Sequence, residues 1–273
     1  VADETTEISR NVKTAAHNWV GRSVVFFCPG SAGEKPRWVA SGIPFRSAKG
    51  RVAILTAAHC VDELERRPHS IGYFECSGGL DDALESATVC PNQVDVALVT
   101  VREHAAATLL AFAHDAAMVP PANESLVSDN QWCMVAGYPA ALVFEEVDRG
   151  RRVVHLRFGG VTHLTGVARV DEQGRFAVYW DEGDVEHEHP DWKRFGVSEG
   201  DRMKLPNPHG ISGGALWRFT GGTPKETVWA PQTRAHLIGV ASFFLPDSRL
   251  EVFEPASAWS DWFRERLSAL DEP

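Results

Sequence analysis

Basic clusters are missing from this chain. Its 27 Lys and Arg are outnumbered by 37 Asp and Glu, giving a formal charge of −10. Where arginines gather, in ERRPH and DRGRRVVHLR, acids lie among or beside them. Such a surface suits a phosphate backbone poorly, so nucleic acid is not an expected partner. Long apolar runs are missing too. None approaches the roughly 20 residues of a membrane-spanning helix, so a membrane is not an expected partner either. The opening VADETTEISRNVK is polar and holds no apolar core of a secretory signal. Val1 in place of Met points to a processed or trimmed form and leaves a removed leader open.

Cysteine is sparse and odd in number, with five residues, so at least one thiol is unpaired. Cys28 and Cys133 lie in VVFFC and WCMVAGY and read as small buried hydrophobes. Cys76 and Cys90 flank an acidic loop and could bridge. Nothing here demands an oxidising compartment. No internal repeat is evident. The acidic run DEGDVEHEHPDW, residues 181–192, lacks the carboxylate offsets of a calcium loop, and its alternating His187 and His189 would share one strand face, which leaves a metal as the lesser reading. It reads as a solvated loop, and neither metal nor cofactor is expected. The match to a glycosylation acceptor at Asn123-Glu124-Ser125 is short enough to arise by chance.

What the chain does have is strand signal. RSVVFF, WVASGIPF, RVAILTAA, DVALVTV, CMVAGY, RRVVHLRF, FAVYW, GALWRF, LIGVASFF and LEVFE are short and rich in Val, Ile, Phe and Trp. Gly, Pro, Asn or Asp commonly separate them, the pattern of a sandwich or barrel. Nine Trp and fourteen Phe are enough to fill sizeable cores. The stretch AHDAAMVPPANESLVSDNQ, residues 113–131, reads as a linker between two sets of strands. One long helix is expected at PASAWSDWFRERLSAL, residues 255–270, with Trp259, Trp262, Phe263 and Leu267 near helical spacing.

Within NPHGISGGALW, Ser212 is flanked by Gly210, Gly213 and Gly214. Glycine serves where the backbone takes positive φ or approaches something closely. A hydroxyl on such a turn can be presented to a substrate while free N–H groups face a developing oxyanion. A serine needs a base, and the base needs an orienting carboxylate. ILTAAHCV places His59 at the end of an apolar strand, and NQVDVALVTV places Asp95 at the head of another. Each alone has an ordinary reading, as a satisfied histidine, a turn aspartate and a hairpin serine. Together, in the order His, Asp, Ser, they are far more specific.

LTAAHC, DVALV and GISGGAL resemble the three signature segments of the trypsin-like, chymotrypsin-fold serine peptidases. The likeness extends from about Val24 to Leu267 and is weak over residues 140–204, where an insertion is expected. It implies an all-β fold of two six-stranded antiparallel barrels with a C-terminal helix. Residues 18–120 would form the barrel carrying His59 and Asp95, and residues 121–273 the barrel carrying Ser212. By the same resemblance His59 is general base and then acid, Asp95 holds its tautomer, and Ser212 attacks the acyl carbon. The N–H groups of Gly210 and Ser212 form the oxyanion hole, and Ser242 supports the aspartate and the substrate backbone. The implied partner is a protein or peptide substrate.

Two departures are informative. Ile211 stands where many relatives carry an aspartate that pairs with a freshly cut N-terminal amine. The oxyanion turn is therefore expected to be set by local packing or by a regulatory partner. Cys60 has no partner in WVASGIPF. Both features place the sequence nearer to bacterial or intracellular relatives, with the cytoplasm as the expected compartment. The specificity pocket would be walled by LPNPHG, SFF and LEVF. Pro206 occupies the floor position that carries Asp in members with basic specificity. Glu251 would favour Lys or Arg if it faces the pocket, whereas Phe244 would narrow the entrance and favour small side chains. Two rival functions remain. GISGG also fits an esterase elbow, but only His236 follows Ser212 and βα units are lacking. A catalytically silent peptidase-fold binding module would have a replaced triad residue, and none is replaced.

Overall fold

The computed structural model describes residues 10–29, 39–66, 69–73, 80–122, 132–148, 153–158, 160–165, 167–170, 174–180, 208–221 and 228–272. It opens with helix α1 (Arg10–Gly21) and strand β1 (Val25–Pro29). There follow β2 (Ala40–Arg46), β3 (Val52–Thr56), α2 (Ala58–Arg66), β4 (His69–Tyr73), β5 (Leu80–Asp81), β6 (Leu84–Val89) and β7 (Ala97–Val101). Helix α3 (Glu103–Leu109) and β8 (His114–Asp115) complete the first half. These strands form one sheet in the order β5-β4-β1-β2-β3-β7-β6, with the short β8 lying parallel to β2.

The second half begins with β9 (Trp132–Gly137), β10 (Val143–Asp148), β11 (Val153–Phe158), β12 (Val161–Thr165), β13 (Val167–Val170) and β14 (Phe176–Tyr179). It ends with β15 (Ala215–Phe219), the one-turn α4 (Pro231–Arg234), β16 (Ala235–Leu245), β17 (Leu250–Pro255) and α5 (Ala256–Ala269). Its sheet runs β12-β9-β15-β16-β17-β14-β13, every pair antiparallel. The hairpin β10–β11 forms a two-stranded sheet of its own, within the stretch where an insertion was expected. The two curled antiparallel sheets with a C-terminal helix make the chymotrypsin-like double barrel, with extra short strands beyond six per half.

All ten strands expected from the sequence form, and the C-terminal helix falls within one residue of its expected bounds. One apolar cluster holds both halves together. It joins Ile43, Phe45 and Leu55 of the first sheet to Trp217, Val240 and Phe253 of the second, and to Trp259 and Phe263 of α5. Helix α1, which the polar opening did not announce, docks on this junction. Ala16 and Val20 are fully buried, and Trp19 meets Trp217 edge-on at 5.0 Å. His17 Nδ1 lies 2.6 Å from Thr162 Oγ1 on β12. His114 is enclosed by Trp19, Phe45 and Trp217, with Nε2 3.2 Å from the carbonyl of Ser23. That carbonyl only accepts, so Nε2 carries a proton. Burial drives its pKa down to about 4.

The bridge that Cys76 and Cys90 might have formed is absent. Cys90 is a free thiol, 4% exposed and packed in the shared core, and Cys76 lies outside the described residues. Cys28, Cys60 and Cys133 are also free. Burial raises the thiol pKa of Cys28 to about 11 and of Cys133 to about 12, and pushes Cys60 up as well. Cys60 and Cys133 are buried and Cys28 half-buried, and a thiol kept neutral by burial packs as a small apolar group. Among the described residues no helix is long and apolar enough to cross a membrane.

Candidate active site

His59 sits in the first turn of α2, three residues past β3, and not at the strand end. The helix follows because Cys60, Val61 and Leu64 supply a buried face along AHCVDELER. Asp95 lies two residues before β7, and the two carboxylate oxygens divide its contacts. Oδ1 accepts the backbone N–H of His59 at 2.9 Å, and Oδ2 lies 2.8 Å from His59 Nδ1. Oδ2 also accepts the hydroxyl of Ser242 at 2.5 Å. Burial pushes the Asp95 carboxyl up, yet hydrogen bonds from the His59 ring, Ser242 and the His59 backbone together hold it below the ordinary carboxylate range. A charged carboxylate is acceptor-only, so His59 Nδ1 carries a proton directed at Asp95, and Nε2 is the ring nitrogen turned away from it.

Ser212 stands on the turn before β15. Its hydroxyl donates to the carbonyl of Ser242 at 3.4 Å, and it makes no hydrogen bond to His59. Ser242, in β16, thus touches the serine with its carbonyl and the aspartate with its hydroxyl. A contact chain runs from Ser212 through Ser242 and Asp95 to His59.

The turn itself has an alternating pattern. The N–H of Ile211 donates to Pro208 at 2.8 Å, that of Gly213 to Ala241 at 2.7 Å, and that of Gly214 to Ile211 at 2.6 Å. The N–H groups of Gly210 and Ser212 donate to no acceptor among the described residues. Their peptide partners are tied from the other side. The carbonyl of His209 accepts the N–H of Ala140 at 2.7 Å, and that of Ile211 accepts Gly214. Since the C=O and N–H of a peptide point in opposite directions, both free N–H groups face away from these anchors.

Two glycines make the turn sterically feasible. Gly213 has φ of +83°, and a Cβ there would lie 2.1 Å from the carbonyl oxygen of Ser41 and 2.2 Å from Thr56 Oγ1. Gly210 has φ of +100°, and a Cβ would fall 2.7 Å from the backbone nitrogen of Ala140. Side chains are excluded at both positions by conformation and by the backbone of β2 and the segment after β9.

The remaining sequence-derived candidates divide. Phe244 and Glu251 are directly paired between β16 and β17, which puts them on one face of the sheet. Glu251 is 2% exposed, which rules out a solvent-facing role; its Oε2 is enclosed without a hydrogen-bond donor. Pro206, the acidic run with His187 and His189, and the Asn123 acceptor lie outside the described residues. No group of three metal-ligating side chains occurs among the described residues. The sequence reading overlooked Ser41, a fully buried hydroxyl in a strand whose other buried members are Ala, Gly, Ile, Pro and Phe. A polar side chain inside such a strand is itself a signal, because it must find partners.

No family model matches the chain, and no curated protein does. Solved structures match in fold. The serine endoprotease from Yersinia pestis superposes with a TM-score of 0.54 at 15% identity, over 94% of this chain and 66% of that one. The thermostable serine protease AL20 from an extremophilic microorganism gives 0.50 at 12% identity, over 92% and 99%. This chain thus spans slightly less than two thirds of the Yersinia protein. It has the trypsin-like serine peptidase fold.

Proposed function

We propose that this protein is a serine endopeptidase acting through His59, Asp95 and Ser212. The observation that carries the reading is the pair of unpaired N–H groups, Gly210 and Ser212, on the turn that presents the serine. A turn built only for structure would pair the amide of a buried residue such as Gly210. Ser212 turns about its Cα–Cβ bond from the Ser242 carbonyl toward His59 and passes its proton to Nε2 as its oxygen attacks the peptide carbonyl. The resulting oxyanion takes the two N–H donors, which are already fixed and need no reorganisation. Asp95 faces the imidazolium at 2.8 Å and stabilises the charge. Nε2–H then protonates the leaving amine, and water repeats the sequence to release the acid.

The test is covalent labelling by a fluorophosphonate at pH 8. Modification of Ser212 alone, abolished in His59→Ala, is expected. A folded protein that remains unlabelled would instead be a silent binding module. Ser242→Ala removes one of the three hydrogen bonds to Asp95, so kcat/KM should fall roughly ten-fold while the fold persists. An unchanged kcat/KM would show that Ser242 does not support the aspartate in function. By the family resemblance its substrate is a protein or peptide, its compartment the cytoplasm, and a partner protein can regulate it.

A further inference from the structure

Four consecutive carbonyls of the nucleophile turn, from His209 to Ser212, each accept a hydrogen bond. Three of the donors are backbone amides. The fourth is the side chain of Ser41, on a strand of the other sheet, whose hydroxyl donates to Gly210 at 3.2 Å. The same oxygen accepts the N–H of Tyr138 at 2.8 Å, and the N–H of Ser41 donates to the carbonyl of Ser212 itself at 2.8 Å. Its own carbonyl is held by Thr56 Oγ1 at 2.7 Å. Ser41 is wholly buried, so water cannot replace these bonds. Ile211, between the two free amides, is also wholly buried, and its Cγ2 closes on Gly137 of β9. An apolar side chain there cannot receive an inserted amine.

We infer that Ser41 is the positioning residue of the oxyanion turn: from the neighbouring barrel its hydroxyl fixes the Gly210 carbonyl and its amide the Ser212 carbonyl, and so it keeps the Gly210 and Ser212 N–H groups on either side of the 210–211 peptide aimed at the reacting carbonyl without an N-terminal ion pair. The inference rests on the peptidase reading and adds what sets its turn. Without the hydroxyl, the Gly210 carbonyl and the Tyr138 amide lose their shared partner. The 210–211 peptide then keeps only the bond from Ile211 N–H to Pro208, and because it joins the two peptides that carry the free N–H groups, its loosening lets both amides swing out of line with the oxyanion. Because the ground-state substrate does not use that donor fully, the loss falls on kcat and not on KM.

The test compares wild type, Ser41→Ala and Ser41→Cys. Cysteine keeps the shape with a far weaker hydrogen-bonding group. Ser23→Ala is the structural control, because Ser23 is a buried serine that bonds Val20 and Trp217 away from the site. All are assayed on one peptide substrate and with a peptide boronate, whose tetrahedral adduct places an oxygen in the hole. Ser41→Ala and Ser41→Cys should lose about 10- to 100-fold in kcat and in boronate affinity, with KM within about two-fold of wild type. Ser23→Ala should lower the melting temperature and leave kcat unchanged. Wild-type kcat and boronate affinity in either Ser41 variant overturn the inference. So does a parallel loss in Ser23→Ala, or a failure of both Ser41 variants to fold, which would make Ser41 a folding residue only. A wild type that neither hydrolyses the peptide nor reacts with the fluorophosphonate defeats the peptidase reading, and this inference falls with it. A reactive wild type matched by Ser41→Ala defeats this inference alone.

Discussion

Ser212→Ala is expected to lose on the order of 10⁴- to 10⁶-fold in kcat while unfolding at nearly the wild-type temperature. The two halves of this result have separate causes. No described thiol competes with the hydroxyl, since Cys60, Cys90 and Cys133 are buried and burial raises the pKa of all four described thiols, half-buried Cys28 included. Nothing in the fold leans on it, because its one hydrogen bond, to Ser242, is long at 3.4 Å. The turn should survive because its shape depends on backbone carbonyls and glycines. Residual hydrolysis well above the uncatalysed rate should remain, since the two amides and the binding cleft persist. Peptide hydrolysis and circular-dichroism melting of the variant check both halves. Wild-type turnover would remove Ser212 from the mechanism, and a large drop in melting temperature would make the serine a structural residue.

The three proposed catalytic residues stood out in the sequence beside apolar stretches, and such stretches announce themselves by composition. Asp95 was placed before β7 by that logic, and Ser212 before β15 by its flanking glycines as well. His59 was misplaced by one element. The strand signal of RVAILT ran into small residues, while the helical face of Cys60, Val61 and Leu64 was too short to stand out. Helix α1 was missed for a related reason. Its buried Val12, Ala16 and Val20 recur at helical spacing, but polar residues dilute them. Strands such as β6, LESATV, are half exposed and lack the Val and Phe density of central strands. The glycines of the turn were visible, but what they approach was not. The carbonyl of Ser41 and the amide of Ala140 come from distant segments, and only the packed fold brings them within a Cβ radius. The role of Ser41 was hidden likewise, since its partners Tyr138 and Gly210 lie 97 and 169 residues away in sequence.

Glu251→Gln is expected to change how stability depends on pH. The Glu251 carboxyl is 2% exposed, and burial alone raises its pKa from 4.5 to about 8. Its paired neighbours, Phe244 on β16 and Val178 on β14, are apolar and offer no charge to offset the burial. Between these two values the folded chain keeps a proton that the unfolded chain gives up, so stability falls as pH rises. The loss is complete above pH 8 and amounts to roughly 5 kcal/mol. His114 has the opposite slope. Its folded pKa is lowered from 6.5 to about 4, so the stability of its neutral buried form is present above 6.5 and lost as pH falls through 4. Wild type should therefore weaken on both sides of a maximum, and Glu251→Gln should keep the acid limb and lose the alkaline one. Denaturant melts at pH 5 and pH 9 decide this, and an alkaline limb unchanged in the variant would mean that another group titrates. The same carboxyl bears on specificity. A cation seated against it would favour the ionised form and restore what burial costs, so Arg substrates should gain on Ala substrates as pH rises through 8. In Glu251→Gln that gain should vanish. If the Arg-to-Ala ratio of kcat/KM is flat with pH in both proteins, Glu251 does not select the residue before the scissile bond, and the ring of Phe244 does so by shape.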